Sequence, residues 1–385
     1  MYRLNQCIPD IRPVHSYSGL TFRKRGCCIR HIKMKIIISA YPIMKRILFI
    51  CVICLLGCSK QKSVIYENIP FDNIYSIAQI NNIPFCIVLT DSTSQFSKEY
   101  IFQLKKNYNH LFDKAVFNLS DMNHIENEWY IKWLCPVSTP LTCLFSPDGK
   151  LIDLIPGISK ETFLYLEEAI NKAITTEFHW PNRFTMNKKR VLPFLDNLLR
   201  QKRDIDEGVY SPSELSRLAD SLNYPYSNYL KLLGELMEQD TTGARQAAQS
   251  LMELETPASL ELYKDEFITA KKVLDKNFDI SKEPNIRVDS TNIHLTNCKQ
   301  EEKTPFEVLV YNDGDKPLKI SKIHTSCSCL EQHKYEGEII IKPKESSPLK
   351  FYFTPDTEGE LFRDIFIVSN AINVPILHII VSAYV

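Results

Sequence analysis

The chain has 385 residues, of which 46 are basic and 46 are acidic, so its formal net charge is zero. The charges are unevenly distributed, because residues 1–57 contain 10 basic residues and one acidic residue. The remaining 328 residues (385 − 57) therefore carry 36 basic and 45 acidic residues, a net charge of −9. This balance argues against a nucleic-acid or anionic-membrane partner bound through bulk charge. A chain of this length predicts two or three domains.

An export signal is predicted near the N-terminus. Met44-Lys45-Arg46 precedes an apolar run over residues 47–56, and polar residues 59–62 follow. A basic start, an apolar run of about ten residues and a small residue at the cleavage point describe a secretory signal. The run is too short for a membrane-spanning helix, which needs about 20 apolar residues. Residues 1–43 are interpreted in one of two ways: the translation start is assigned too far upstream of Met44, or these residues are an extension that is removed with the signal.

The four residues Leu55-Leu56-Gly57-Cys58 resemble the bacterial lipobox. The resemblance implies cleavage before Cys58 and lipidation of that cysteine, which anchors a protein without spanning the membrane. An ordinary signal peptide or a short anchor is the alternative. The pair Ser59-Lys60 lacks both the Asp of inner-membrane retention and the acidic run of surface export. We therefore expect a Gram-negative outer-membrane lipoprotein that faces the periplasm and has a protein partner in the envelope.

After a tether over residues 58–69, residues 70–178 read as an α/β domain. A continuous apolar run over residues 83–91 has the length of a buried strand. Two later runs, residues 141–145 and 151–155, are joined by Pro147-Asp148-Gly149, which is a strong hairpin signal.

The segment from Ser138 to Phe145, followed by residues 147–150 and Gly157, resembles the cis-proline strand, hairpin and terminal glycine of the thioredoxin-like family. The resemblance covers most of residues 70–178. It implies a cis peptide bond before Pro140; the alternative is a strand that starts at Pro140 in trans.

The thioredoxin-like family uses a Cys-x-x-Cys pair at the start of its first helix, where the helix dipole stabilises a thiolate. The matching positions here are Ser94 and Ser97. Serine forms no disulfide, so dithiol exchange at this place is excluded and a scaffold or peptide-binding groove is expected. Cys86 and Cys143 are predicted to be core residues. Cys135 is a weaker candidate for a lone redox thiol because no neighbouring base is evident.

Residues 179–284 predict a helical spacer that holds two end domains apart or presents a partner-binding surface. Leucines recur at helical spacing, and Ser211-Pro212-Ser213-Glu214 predicts a capping box with proline at the first helical position. A single further helix is predicted to begin after Thr256. No fixed repeat period is evident.

Residues 285–385 contain about seven short alternating runs, which predict a β-sandwich. The segments 312–320 and 325–329 resemble the Asn-x-Gly-x-x-Pro-Leu-x-Ile and Thr-Ser-Cys-Gly-Cys-Thr signature of an uncharacterised bacterial family. That family's fold is akin to hydin-type immunoglobulin modules, and it has no established activity. Ser328 stands where the family has glycine, and Leu330 where it has threonine.

Cys327 and Cys329 leave three alternatives open. Both can be structural, either as core thiols or in a disulfide, for which Cys298 is another available partner. With His324 and His333 nearby in sequence, the two thiols can instead hold a soft metal such as Cu(I). Redox-labile thiols are the third alternative. In a continuous strand the two sulfurs would be too far apart for easy bridging, so a disulfide requires a bend.

Together these patterns predict a multidomain, lipid-anchored envelope protein with a thioredoxin-like domain, a helical spacer and an immunoglobulin-like domain. We expect a non-enzymatic binding or assembly module without a cofactor, because no nucleotide, zinc or hydrolase motif is present. The alternative is a protein that handles thiols or copper through Cys327 and Cys329.

Overall fold

The computed structural model describes residues 65–184, 186–333 and 337–385. The predicted leader and the predicted lipidation site, Cys58, lie outside the described residues. Across the described ranges, no helix is both long enough and apolar enough to cross a membrane.

The chain divides into two units. The described part of the first contains residues 65–124 and 136–181, and the second contains residues 125–135 and 182–385. Residues 125–135, from within the predicted first domain, therefore belong to the second unit. The helical region and the β-rich region, which the sequence separates at residue 284, share that unit.

A five-stranded mixed sheet forms the centre of the first unit, in the order β1-β3-β2-β4-β5. Strands β1 and β2 run parallel to β3, whereas β4 is antiparallel to both β2 and β5. The strands are β1 (Ile65–Glu67), β2 (Phe85–Thr90), β3 (Val116–Asp121), β4 (Leu141–Phe145) and β5 (Leu151–Pro156). The α-helices of this unit are α1 (Phe71–Asn81), α2 (Gln95–Asn107) and α4 (Lys160–Lys172).

Both faces of this sheet are covered. On one face, the ring of Phe85 stacks on Phe145 with 4.7 Å between centroids, and Phe71 of α1 contacts both rings edge-on. On the other face, Cys86 and Val88 belong to a buried cluster that includes side chains of α2 and α4. Successive residues of a strand point to opposite faces of the sheet. Because both faces are covered here, consecutive residues of β2 are all buried, and this explains its continuous apolar run.

The helical part of the second unit consists of α3 (Glu128–Leu134), α5 (Lys188–Asp206), α6 (Pro212–Ser221), α7 (Pro225–Met237), α8 (Thr241–Met252), α9 (Pro257–Leu262) and α10 (Lys264–Leu274). Hydrogen bonds tie α3 to the others. The indole Nε1 of Trp133 donates to the carbonyl of Leu195 at 2.8 Å. The hydroxyls of Tyr224 and Tyr263 both donate to the carbonyl of Lys132, at 2.6 and 2.9 Å. These long-range contacts explain why α3 belongs to this unit.

Two local predictions in this region are wrong. Helix α6 begins at Pro212, but the side chain of Ser211 forms no capping hydrogen bond. The carboxylate of Glu214 instead accepts a hydrogen bond from Gln201 at 2.8 Å, so no capping box forms there. A capping box does form between Thr256 and Ser259, at the start of α9. The single helix predicted after Thr256 is divided into α9 and α10.

A β-sandwich completes the second unit, as the alternating pattern predicts. Its two sheets have the orders β10-β12-β8-β6 and β11-β9-β13-β14-β7. The strands are β6 (Ile286–Val288), β7 (Asn292–Leu295), β8 (Thr304–Asn312), β9 (Leu318–Thr325), β10 (Leu330–Gln332), β11 (Ile339–Ile341), β12 (Ser346–Phe353), β13 (Glu360–Ser369) and β14 (Ile376–Tyr384). Buried residues alternate along β14, as expected for a strand with one face on a core.

The Asn-x-Gly segment after β8 has a structural explanation. The side chain of Asn312 is fully buried; its amide donates to the carbonyls of Lys316 and Ile341, and its Oδ1 accepts from the backbone N–H of Gly314. A Cβ atom added at Gly314 would lie 2.1 Å from the carbonyl oxygen of Glu283. The approach of two backbone segments therefore requires glycine at this position.

Candidate functional site

Two serines occupy the start of α2, at the positions where the thioredoxin-like resemblance implies a lost cysteine pair. Ser94 is the N-cap residue, and its hydroxyl accepts from the backbone N–H of Ser97 at 3.5 Å. Ser97 is buried, and its hydroxyl accepts from the backbone N–H of Asp91 at 3.0 Å. Both hydroxyls therefore stabilise the connection between β2 and α2.

Pro140 lies at the same end of the sheet as these serines. The Thr139–Pro140 peptide bond is cis, the geometry that the thioredoxin-like resemblance implies. Leu141, the first residue of β4, is paired with Leu89 near the end of β2. Because the two strands are antiparallel, Pro140 and the start of α2 meet at one edge of the sheet.

This edge combines an exposed aromatic side chain with fixed polar groups. Phe96, between the two serines, has 63% of its surface exposed. The carboxylate of Asp91 accepts hydrogen bonds from Thr93 and Asn123. Partial burial acts to raise the pKa of Asp91, but these hydrogen bonds outweigh burial, so the pKa lies below its usual value. The edge therefore presents an ionised carboxylate and one apolar ring.

None of the free cysteines within the described ranges is part of this edge. Cys86 and Cys143 are fully buried on β2 and β4, and burial raises the pKa of both thiols. Cys135 follows α3 in the second unit; burial raises the pKa of its thiol, although Arg183 acts in the opposite direction. These thiols are poor nucleophiles, because the thiolate is the reactive form.

The second group of candidate residues lies in the turn between β9 and β10. Strand β9 ends at Thr325, and the bend that follows joins Cys327 to Cys329 in a disulfide with Cα atoms 5.2 Å apart. Cys298 remains a buried free thiol, so it is not a partner in this bond. The strands β9 and β10 belong to different sheets, so the disulfide lies where the chain crosses from one sheet of the sandwich to the other.

An arginine contacts this disulfide. The Nε of Arg363, on β13, donates to the sulfur of Cys329 at 3.0 Å. The same guanidinium pairs with the carboxylate of Asp356 at 3.2 Å. Sequence reasoning missed Arg363 because it is 34 residues from Cys329, and the pairing of β13 with β9 brings the two segments together. The alternating pattern predicted a strand at β13, but it did not indicate that this strand pairs with β9.

His324 does not complete a metal site in this structure. It lies on β9 opposite Phe366, and partial burial together with Lys322 lowers the pKa of its imidazole. In the part of the chain that the structure describes, no group of three or more His, Cys, Asp or Glu side chains is arranged to hold a metal ion. With Cys327 and Cys329 joined, the two thiolates that a copper site would use are absent.

Comparisons with known proteins matched one family model and a set of solved structures. Residues 286–383 match the model of a family described as "Protein of unknown function (DUF1573)". No curated protein sequence matches the chain.

Among solved structures, a protein of unknown function from Porphyromonas gingivalis W83 is 22% identical, with a TM-score of 0.25. The match covers 29% of this chain and 51% of that protein, about half of its length. The ASH/PapD-like domain 7 of human CEP192 is 13% identical over 28% of this chain and 88% of that domain, with a TM-score of 0.21. A Caenorhabditis elegans MSP family member, WR4, is 15% identical over 26% and 95% of the two chains, with a TM-score of 0.19. The family match, residues 286–383, falls within the β-sandwich of the second unit.

Proposed function

We propose that this chain is a lipid-anchored protein of the cell envelope whose first unit acts as a non-enzymatic binding or assembly module. In this proposal, its first unit has a thioredoxin-like fold that lacks the redox cysteine pair. The sheet order β1-β3-β2-β4-β5, with β4 and β5 antiparallel, supports this fold assignment.

The observation that carries the proposal is the use of hydroxyls at Ser94 and Ser97. A thiol in either place could form a thiolate at a helix N-terminus or a disulfide. At neutral pH a serine hydroxyl neither ionises nor forms a disulfide. Both of these hydroxyls accept hydrogen bonds from backbone N–H groups. The edge keeps a fixed shape without redox chemistry, as a binding surface requires.

Phe96 is the side chain through which this edge would bind. Its ring is more than half exposed at the start of α2, next to two serines that hold the backbone in place. Burial of an aromatic ring is among the largest contributions to binding at protein interfaces. We therefore place the contact with an envelope protein at Phe96 and the Thr139–Pro140 segment.

Photo-cross-linking in cells tests this assignment. A photoreactive residue replaces Phe96 in the full-length chain, and the control carries it in place of Phe102, which is 51% exposed on the same helix. We expect a discrete protein adduct from position 96 that is absent from position 102. Identical adducts at both positions, or none at position 96, would overturn the assignment of this edge as the binding surface.

The lipid anchor is tested separately. Cys58→Ala is expected to abolish incorporation of an alkyne-labelled fatty acid into the protein, because the thiol of Cys58 is the predicted attachment point of the lipid. Cys54→Ala, four residues earlier in the predicted signal, is the control and should leave this labelling unchanged. Unchanged fatty-acid labelling of the Cys58→Ala protein would contradict the lipobox interpretation.

A further inference from the structure

The two sulfurs of the disulfide between Cys327 and Cys329 differ in exposure. Cys329 is 9% exposed and belongs to the buried core of the sandwich. Cys327 is only partly buried and lies between two exposed serines, Ser326 and Ser328. An incoming reactant therefore reaches the sulfur of Cys327 more readily than that of Cys329.

The two sulfurs also differ in electrostatic environment. The guanidinium of Arg363 donates from Nε to the sulfur of Cys329. Its other nitrogens are held by the carboxylate of Asp356 and by the carbonyl of Phe362, at 3.2 and 2.9 Å. Arginine stays protonated in proteins, so a fixed positive charge adjoins this sulfur. A neighbouring cation stabilises a thiolate, and a more stable thiolate leaves a disulfide faster.

The disulfide contributes little to holding the fold together. It closes a loop of only three residues, and the entropic stabilisation from a disulfide grows with loop length. Backbone hydrogen bonds already fix both ends of the turn. The N–H of Ser326 donates to the carbonyl of Asp364 at 3.0 Å, and the N–H of Thr354 donates to the carbonyl of Cys329 at 2.8 Å. The bond can therefore open while these contacts keep the turn in place.

We propose that the disulfide between Cys327 and Cys329 is a thiol–disulfide exchange site that oxidises the dithiol of a partner protein. The proposal goes beyond the binding function of the first unit and uses residues of the other unit. The asymmetry of exposure assigns Cys327 as the sulfur that is attacked. The guanidinium of Arg363 assigns Cys329 as the leaving group, and Arg363 acts as a positioning and stabilising residue.

The exchange proceeds in two steps. One thiolate of the partner attacks the sulfur of Cys327, the disulfide breaks, and its electron pair leaves on Cys329 as a thiolate that accepts the hydrogen bond from Arg363. The partner's second thiolate then attacks the partner sulfur of the mixed disulfide and releases Cys327. The partner dithiol loses two electrons and two protons and becomes a disulfide. Cys327 and Cys329 gain these two electrons and two protons and become thiols.

The rate of disulfide reduction in the full chain by dithiothreitol at pH 7 tests the role of Arg363. Arg363→Gln is expected to slow reduction about tenfold, because the leaving thiolate loses its cation. Arg363→Lys keeps the charge and should stay within about threefold of the wild type. Arg287→Gln is the matched control: Arg287 is an ion-paired arginine on β6 of the same sandwich and should have no effect. An unchanged rate in Arg363→Gln would overturn the assignment.

A second measurement does not depend on the folding of the Arg363 variants. With Cys329→Ser, glutathione disulfide should form a mixed disulfide at Cys327. With Cys327→Ser, the buried Cys329 should react at least tenfold more slowly. Mass spectrometry of the intact proteins measures both adducts, and circular dichroism checks that both variants are folded. Equal rates, or faster reaction at Cys329, would overturn the assignment of Cys327 as the attacked sulfur.

Discussion

The start of α2 in the first unit and the turn between β9 and β10 in the sandwich each follow a strand, yet they use their polar side chains differently. At the start of α2, the hydroxyls of Ser94 and Ser97 accept backbone hydrogen bonds and stabilise the connection. In the turn of the sandwich, backbone hydrogen bonds fix the connection, and the side chains of Cys327 and Cys329 form a reducible bond. The side chains at each connection, rather than its position after a strand, therefore determine which of the two contains a reducible bond.

The largest effect is expected from Gly314→Ala in the sandwich. The new methyl group would lie 2.1 Å from the carbonyl oxygen of Glu283 and 2.9 Å from the backbone nitrogen of Asn285, and main-chain atoms have little room to move. We expect the unfolding free energy of the sandwich to fall by about 3 kcal/mol. Hydrogen exchange measured by mass spectrometry resolves each unit and should show no change in the first one.

The neighbouring variant Asp315→Ala is the control for this measurement. It removes an exposed ion pair with Lys344, worth less than about 1 kcal/mol. If Gly314→Ala and Asp315→Ala destabilise the sandwich equally, the close backbone approach at Gly314 is not the cause of the loss. If Gly314→Ala also loosens the first unit, the two regions are not independent.

A smaller effect is expected from Ser97→Ala at the start of α2. The substitution leaves the backbone N–H of Asp91 without its buried acceptor, which costs about 1–2 kcal/mol. Urea unfolding or hydrogen exchange of the first unit measures the loss. The rate of reduction of the disulfide between Cys327 and Cys329 should stay unchanged, and a change would contradict the separation of the two regions.

The smallest effect concerns pH. The folded-state pKa of Asp91 lies below the usual aspartate value of about 3.9, so its charge stabilises the fold above about pH 4. That contribution is lost as the pH falls through the lower folded-state pKa. Asp91→Asn keeps an acceptor oxygen and removes the titration, so the unfolding free energy of the first unit should fall less between pH 5 and pH 2 than it does in the wild type. An identical acid dependence in both proteins would contradict the role of this carboxylate.

Much of the architecture follows from local sequence patterns. The apolar run of β2 and the alternating residues of β14 predict strands, because side-chain burial repeats along the backbone. The cis geometry at Pro140 was expected from a family resemblance rather than from the physical properties of the residues. At Cys327 and Cys329, the sequence left structural thiols or a disulfide, a metal site and redox-labile thiols open, because the bend after Thr325 determines how close the two sulfurs lie.

The remaining features depend on contacts between distant residues. Glu214 bonds to Gln201 of α5, which removes the partner that a capping box at Ser211 would need. The hydroxyl of Tyr263, between α9 and α10, donates to the carbonyl of Lys132, more than a hundred residues earlier. Arg363 reaches Cys329 through strand pairing. Local periodicity contains no information on such pairs, so tertiary structure was needed to find them.

Differential alkylation of the full-length protein, mapped by mass spectrometry before and after reduction, determines which cysteines form the reducible bond. We expect that, among the cysteines of the described residues, only Cys327 and Cys329 change their labelling on reduction. Cys86, Cys135, Cys143 and Cys298 should be free thiols that are labelled only after unfolding. A reducible bond at any of these four cysteines, or free thiols at Cys327 and Cys329 in the oxidised protein, would contradict the assignment of the redox chemistry to the sandwich.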